Sequence, residues 1–328
     1  MRRRILLHCQ NMTGVARALV AHSNQQRRAT AVGCEPDPLI ELGVIKWGRF
    51  RDGYPDILID SLDHMIGADV VFLAAFDKPE VIFEQMSVIY ALAEFCPHSF
   101  KILLPYFPTG TMERVDTEGQ VATAATLAQM LSAVAPAGHG PVPLYIWDIH
   151  TLQNRHYFGP NITPRFKTGM HLLQNLIRSL PEVAICFPDY GAWNRFKVMF
   201  TRRDPQTYWD FIICRKARDP NDKDRRMVVI EEGDPRNKHV IMIDDLIHTG
   251  FTLIECGKVM RAAGAASVSL FATHGVMENE SWKRFLDAGF EHVWITDSCP
   301  MTAQEVAGRD PFEVISLVPS IYDAIFDR

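Results

Sequence analysis

The chain has 328 residues, 47% of them hydrophobic and 22% charged, with a formal net charge of -5. That length fits about two domains, the composition is that of an ordinary globular protein able to bury sizeable cores, and the acidic balance leaves no footprint for nucleic acid. No stretch approaches the length of a membrane span, and the basic start MRRRILLHCQ loses its apolar character after Leu7, too early for a signal-peptide core.

The seven cysteines (9, 34, 96, 186, 214, 256 and 299) are scattered and include no Cys-x-x-Cys pair. Their spacing suggests neither a disulfide framework nor a zinc site, and points to reduced core residues of a cytosolic protein.

Short apolar runs alternate with helical spacing: residues 4 to 8, 69 to 76, 100 to 104, 143 to 147, 183 to 187, 210 to 214, 240 to 243, 267 to 272, 292 to 295 and 313 to 317. Such alternation predicts α/β architecture with parallel sheets. Early in the chain, Phe50-Arg51-Asp52-Gly53-Tyr54 reads as a turn of type I′ or similar. The polar loop PTGTMERVDTEG (108 to 119), with Glu113 and Arg114, follows a strand, where ligand contacts concentrate. The spacing Val121, Ala125, Ala128, Leu131 predicts a core-facing helix, and APAGHGPVP (135 to 143) a surface loop. His150 closes the next apolar run, and HYFGPNITPRF with Gly159, Pro160 and Pro164 marks the best domain boundary, near residues 155 to 165.

In the second half, Asp189 follows the apolar run of AICFPDYGAW (184 to 193). A histidine or a Pro-Asp after a strand is, taken singly, most often a cap or a turn. CRKARDPNDKDRR (214 to 226) reads as a mobile surface loop between two strands, and such a charge run is ordinarily a solvated face. His274, after the strand VSLF, is read as making a structural hydrogen bond rather than meeting a phosphate.

The stretch VIMIDDLIHTGFTL (240 to 253) organises this half. Val240 to Ile243 have the continuous apolarity of a strand buried on both faces. Asp244 and Asp245 then stand at its carboxyl end, the edge where ligands bind in open α/β sheets. Beyond Thr249, Gly250 and Thr252, the spacing Leu253, Cys256, Met260, Ala263 with Gly264 after it describes an amphipathic helix and its stop. Hydroxyls and free backbone N–H groups at a helix N-terminus suit phosphate, and the carboxylates suit sugar hydroxyls. An ordinary strand-turn-helix with capping aspartates has the same pattern.

This motif resembles the fingerprint of the type I phosphoribosyltransferase fold. With FRDGY, the FPTG loop, Lys216-Ala217-Arg218, ATHGV and ITDSCP in order from about residue 5 to 325, the chain is similar to the phosphoribosyl-diphosphate (PRPP) synthetases. The likeness is to the divergent class II members best known from plants, which share Phe-Pro-Thr-Gly. It implies two tandem phosphoribosyltransferase-like domains, each a mainly parallel sheet flanked by helices: residues 1 to 158, completed by 308 to 328, and residues 159 to 307. It implies a ribose-phosphate diphosphokinase that moves the β,γ-diphosphoryl group of ATP to ribose 5-phosphate. Asp244, Asp245, His248, Thr249, Gly250, Phe251 and Thr252 would then hold ribose 5-phosphate, and Phe50, Asp52, Glu113 and Arg114 the nucleotide. Lys216 and Arg218 would be catalytic, and His150 and Asp189 would hold Mg2+. An adenine site shared between subunits implies at least a dimer, with no nucleic acid or membrane as partner. His248 stands where the family has Asp, Phe251 where it has Gly, and Tyr54 where it has Glu. A phosphoribosyltransferase that consumes PRPP, a non-catalytic regulatory paralogue and an assembly scaffold are the alternative readings.

Overall fold

Runs of Val, Ile, Leu and Phe too short for helices pair side by side, and the amphipathic stretches between them cover the resulting sheets. The computed structural model describes residues 2–29, 35–60, 62–95, 97–138, 140–201, 209–218 and 226–327. Two units result, residues 1–167 with 317–328, and residues 168–316.

In the first unit the elements are β1 (Arg4–His8), α1 (Thr13–Ala29), β2 (Ile40–Leu42), β3 (Ile45–Arg49), β4 (Pro55–Ile59), β5 (Asp69–Leu73), α2 (Pro79–Glu94), β6 (Ser99–Leu103), α3 (Thr123–Ser132), β7 (Val142–Trp147) and β8 (Ile162–Lys167). The main sheet has the order β2-β1-β5-β6-β7-β8, paired in parallel. The expected junction after residue 158 lies ahead of the observed one because β8 still pairs with β7, from Val142↔Ile162 to Trp147↔Lys167. Pro164 cannot donate to a ladder, and β8 tolerates it as an edge strand. In α3 the buried stripe is Ala124, Leu127, Ala128 and Leu131, whereas Val121 precedes the helix and is exposed.

The second unit comprises α4 (Met170–Ile177), β9 (Val183–Phe187), α5 (Tyr190–Thr201), β10 (Asp210–Arg218), β11 (Arg226–Glu232), β12 (His239–Ile247), α6 (Phe251–Ala262), β13 (Ser267–Gly275), β14 (Val293–Thr296), α7 (Pro300–Val306) and β15 (Phe312–Ile315). Its order is β11-β10-β9-β12-β13-β14-β15, with β10 and β11 antiparallel and the other pairs parallel. Alternation along β12 feeds two cores. Val240 and Met242 join Leu253, Cys256 and Met260 of α6, and Ile241 and Ile243 join α4 and Phe196 and Phe200 of α5. That is why the run is apolar without interruption.

Two loops expected from sequence are strand. β12 continues through both aspartates to Ile247, paired to Gly275 of β13. The charged stretch after Cys214 continues β10, with Lys216 opposite Val228 of β11; residues 219–225, expected as a mobile loop, lie outside the described residues.

The last helix, α8 (Val318–Ile325), belongs to the first unit. Ser320 Oγ accepts from the Trp147 indole N–H at 2.7 Å, Tyr322 donates to Asp37 at 2.6 Å, and the Ile325 carbonyl accepts from Lys101 at 2.9 Å. The return starts at residue 317 rather than 308, since β15 first pairs with β14.

Candidate active site

In the second sheet the chain passes outward from β9 to β10 and β11, then re-enters beside β9 as β12. Ligands bind outside the carboxyl ends of strands at such a reversal. Asp189, two residues past β9, caps α5: its Oδ1 accepts from the Ala192 N–H at 3.1 Å, and its Oδ2 accepts from Lys216 Nζ at 3.3 Å. Asp244 lies on the adjacent strand, half-buried, with Oδ1 accepting from the Asp245 N–H at 2.9 Å. Burial pushes its carboxyl well above the usual carboxylate range, and the negative charges of Asp245 and Asp189 add to the rise.

The strand period separates the two aspartates, which the sequence reading groups together. Asp245 faces the α4–α5 side, is buried, and forms an ion pair with Arg195 of α5 at 3.2 Å. Asp244 is on the side of Met242 and α6. Arg195 belongs to no motif in the sequence, although the period of two in a strand implies that adjacent carboxylates need separate partners.

Beyond β12 the chain turns in three residues. The Ile247 carbonyl accepts from the N–H groups of Val276 and Met277, the His248 carbonyl from Ser281 Oγ at 2.8 Å, and the Thr249 carbonyl from Arg284 Nη1 at 2.9 Å. Gly250 is the N-cap of α6 with φ +75°, and a Cβ there would fall 2.3 Å from Phe285. Only glycine fits both demands. The first N–H groups of α6 have no acceptor within the helix, which makes the turn suitable for an anion. At its far end α6 closes in a Schellman pattern, with the Ala265 N–H bonding the Met260 carbonyl and Gly264 at φ +93°.

The two departures from the family pattern are at the mouth of this turn. The half-exposed His248 ring lies 3.7 Å from Glu278. Phe251 is 60% exposed, and the Arg284 guanidinium sits over its ring at 4.2 Å. Thr252 is half-buried in the first turn of α6. Lys216 is half-exposed on β10, while the Arg218 side chain lies outside the described part of that strand. His274 is buried and bonds Ser298 Oγ at 2.9 Å, the structural role expected.

In the first unit Phe50 and Asp52 occupy the β3–β4 hairpin turn. The Gly53 N–H bonds the Phe50 carbonyl, Gly53 has φ +87°, and Asp52 Oδ1 accepts from the Tyr54 N–H. Neither Arg51 nor Asp52 has positive φ, so the turn is not type I′. Phe50 presents an exposed ring. Glu113 is half-buried, its side chain 9% exposed, with the exposed Arg114 3.2 Å from its Oε1. Its Oε2, Thr109 Oγ1 and Asn154 Oδ1 are buried with no hydrogen-bond partner among the described residues. Asn154 Nδ2 donates to the Gly110 carbonyl at 3.1 Å, and a Cβ on Gly110 would lie 3.8 Å from that of His150. The polar loop and His150 therefore meet, at a place where polar atoms await partners.

A family model described as phosphoribosyl synthetase-associated domain matches residues 211–318. The chain is 47% identical to ribose-phosphate pyrophosphokinase 3, mitochondrial, of Spinacia oleracea, over 87% of this chain and 71% of that protein. It is 41% identical to ribose-phosphate pyrophosphokinase 4 of Arabidopsis thaliana, over 98% of this chain and 91% of that one. The chain belongs to the ribose-phosphate pyrophosphokinase family.

A crystal structure of phosphoribosylpyrophosphate synthetase from Mycobacterium smegmatis shares the fold, with a TM-score of 0.78 at 20% identity, covering 99% of this chain and 98% of that one. This pyrophosphokinase thus has the expected α/β architecture of two phosphoribosyltransferase-like parts. Arg284 and Ser281, which hold the turn of this family member, had no signal in sequence. They precede β14 and reach the turn only through the tertiary fold.

Proposed function

We propose that this pyrophosphokinase converts ribose 5-phosphate and ATP into PRPP and AMP. The anomeric hydroxyl oxygen attacks the β-phosphorus in line, the bond from that phosphorus to the oxygen bridging to the α-phosphate breaks, and AMP departs. The observation that carries the site assignment is the meeting of Asp189, Lys216 and Asp244 at the strand reversal. The Gly250 turn lies one short step beyond Asp244.

In this reading residues 248 to 252 hold the 5-phosphate and Asp244 accepts from ribose hydroxyls. Asp245, locked to Arg195, positions the strand. Lys216 leaves Asp189 to meet the charge that develops on the transferred group, assisted by Arg218. Glu113 and Arg114 take up the nucleotide, and Phe50 and Asp52 contribute to it across a subunit boundary, in at least a dimer.

Magnesium draws most of its ligands from water and phosphate and needs few protein oxygens. Asp189 fits, as a half-exposed carboxylate whose Oδ2 accepts from the half-exposed Lys216. His150 is proposed as a second protein group on the sequence resemblance. When bound, the ion would neutralise phosphate charge.

No helix among the described residues is long and apolar enough to cross a membrane. A cytoplasmic location is part of the proposal, and cell fractionation checks it.

The deciding assay incubates the full chain with ribose 5-phosphate, ATP and magnesium, and measures AMP and PRPP. One-for-one formation supports the proposal. Absence of turnover with every nucleoside triphosphate, or consumption of added PRPP instead, overturns it.

A further inference from the structure

Three cysteines far apart in sequence converge in the second unit. Cys186 lies on β9, Cys214 on β10 and Cys256 on α6, and all three are fully buried. Register explains the first pair. Cys186 is opposite Ile212 in the parallel β9–β10 ladder, so Cys214, two residues on, shares its face. Helix α6 covers that face, and presents Cys256 and, one turn later, Met260. Cys186 Sγ is 3.9 Å from Cys214 Sγ, Cys256 Sγ is 3.7 Å from Cys214 Sγ, and Met260 Sδ is 4.0 Å from Cys186 Sγ. All three Sγ atoms lie within 4.8 Å of one another.

These separations match a thiolate cage. A tetrahedral ion with metal–sulfur bonds of about 2.3 Å holds its sulfurs about 3.8 Å apart. Nothing in the proposed diphosphoryl transfer uses these groups. We propose that Cys186, Cys214 and Cys256, completed by the Met260 thioether, form a buried site for a closed-shell thiophilic metal ion, Cu(I) or Zn(II). Thiolate and thioether sulfur are the donors that select such ions. Because β9 leads to Asp189 and β10 carries Lys216, the ion ties together the elements beneath the active-site edge.

The test uses the full chain, reduced and stripped with a chelator, then titrated separately with Zn(II) and with Cu(I) held by a competing chromophoric ligand. Native mass spectrometry should show one ion per chain and thermal melting a higher midpoint. Cys214→Ser and Cys256→Ala should abolish binding, while Cys34→Ser and Cys96→Ser keep it. Met260→Leu, which conserves volume and keeps the variant folded, should weaken Cu(I) binding by about tenfold or more, with a smaller change for Zn(II). A metal preference emerges from which arm binds with thermal stabilisation. No binding in either arm, binding that survives Cys214→Ser, or loss of binding in Cys34→Ser or Cys96→Ser overturns the site. Unchanged Cu(I) affinity in Met260→Leu overturns the thioether's share.

Discussion

Each unit has one place where strand order reverses, and the two places are built differently. In the first unit, beyond β1 and β5, polar groups are spent on each other: Asn11 donates to Asp77 at 2.8 Å, and Ala75 gives both its N–H and its carbonyl to the Gln85 amide. In the second unit, beyond β9 and β12, Asp189, Lys216 and Asp244 are partly exposed, and Asp244 is held in an unfavourable like-charge environment. One topology thus serves as framework in the first unit and as the proposed reaction site in the second. In the first unit, the buried polar atoms without a hydrogen-bond partner among the described residues include those of Thr109, Glu113 and Asn154, on the segments that follow β6 and β7 rather than β1 and β5. A fold supplies a position for a ligand, and the side chains decide whether it is used.

The largest test of this contrast pairs Lys216→Ala with Asn11→Ala. Lys216→Ala should lower kcat by about 100- to 1000-fold with little change in melting temperature. Asn11→Ala, which leaves the Asp77 carboxyl without its donor, should cost about 1–3 kcal/mol of stability and leave kcat of the folded protein near the parent value. Equal kcat losses with intact folding would abolish the distinction between the two reversals.

Gly250→Ala comes next. A Cβ 2.3 Å from Phe285 at φ +75° forces the turn to shift. The expected cost is about 1–3 kcal/mol, with KM for ribose 5-phosphate raised about tenfold and KM for ATP little changed. An unchanged ribose 5-phosphate KM would remove the turn from the phosphate site.

Asp244→Asn should separate stability from activity. Burial, followed by the charges of Asp245 and Asp189, raises the Asp244 pKa, so its protonated form favours the fold. Its stabilising contribution is present at low pH and is lost as pH rises through the folded-state pKa. The amide lacks this penalty. The melting temperature of Asp244→Asn should exceed the parent's by about 2–4 °C at about pH 8 and by less at about pH 5, while turnover falls. A variant less stable at high pH would contradict the strained-site picture.

The smallest effect belongs to Phe251→Ala. Removing the ring under Arg284 deletes a contact worth about 0.5–1 kcal/mol at an exposed site. KM for ribose 5-phosphate should change by about two- to fivefold. A much larger effect would give Phe251 direct contact with substrate.

Much of the site was legible in sequence because it rests on local patterns. The continuous apolar run 240 to 243 declared a strand covered on both faces, Thr249, Gly250 and Thr252 declared a turn leading into a helix, and Gly264 declared the helix stop. Boundaries were less legible. Carboxylates interrupt the apolar pattern, so β12 reads as ending before Asp244, although backbone pairing with β13 continues to Ile247. Charge likewise hides the continuation of β10 through Lys216, and two prolines disguise β8 as a linker. Ladder hydrogen bonds are indifferent to side-chain polarity, and hydrophobic periodicity does not report them.

By itself, then, the sequence determined the alternation of strands and helices, the turn chemistry around Gly250, and enough ordered motifs to indicate the family. Only the tertiary structure decided which side chains are neighbours. It sent Asp245 to Arg195 and Asp244 to the opposite face, brought Arg284 over Phe251, and gathered Cys186, Cys214 and Cys256 into one buried cluster. Local patterns follow from covalent geometry and solvent preference along a few residues. Convergence of distant residues depends on sheet order and register, which many segments set jointly.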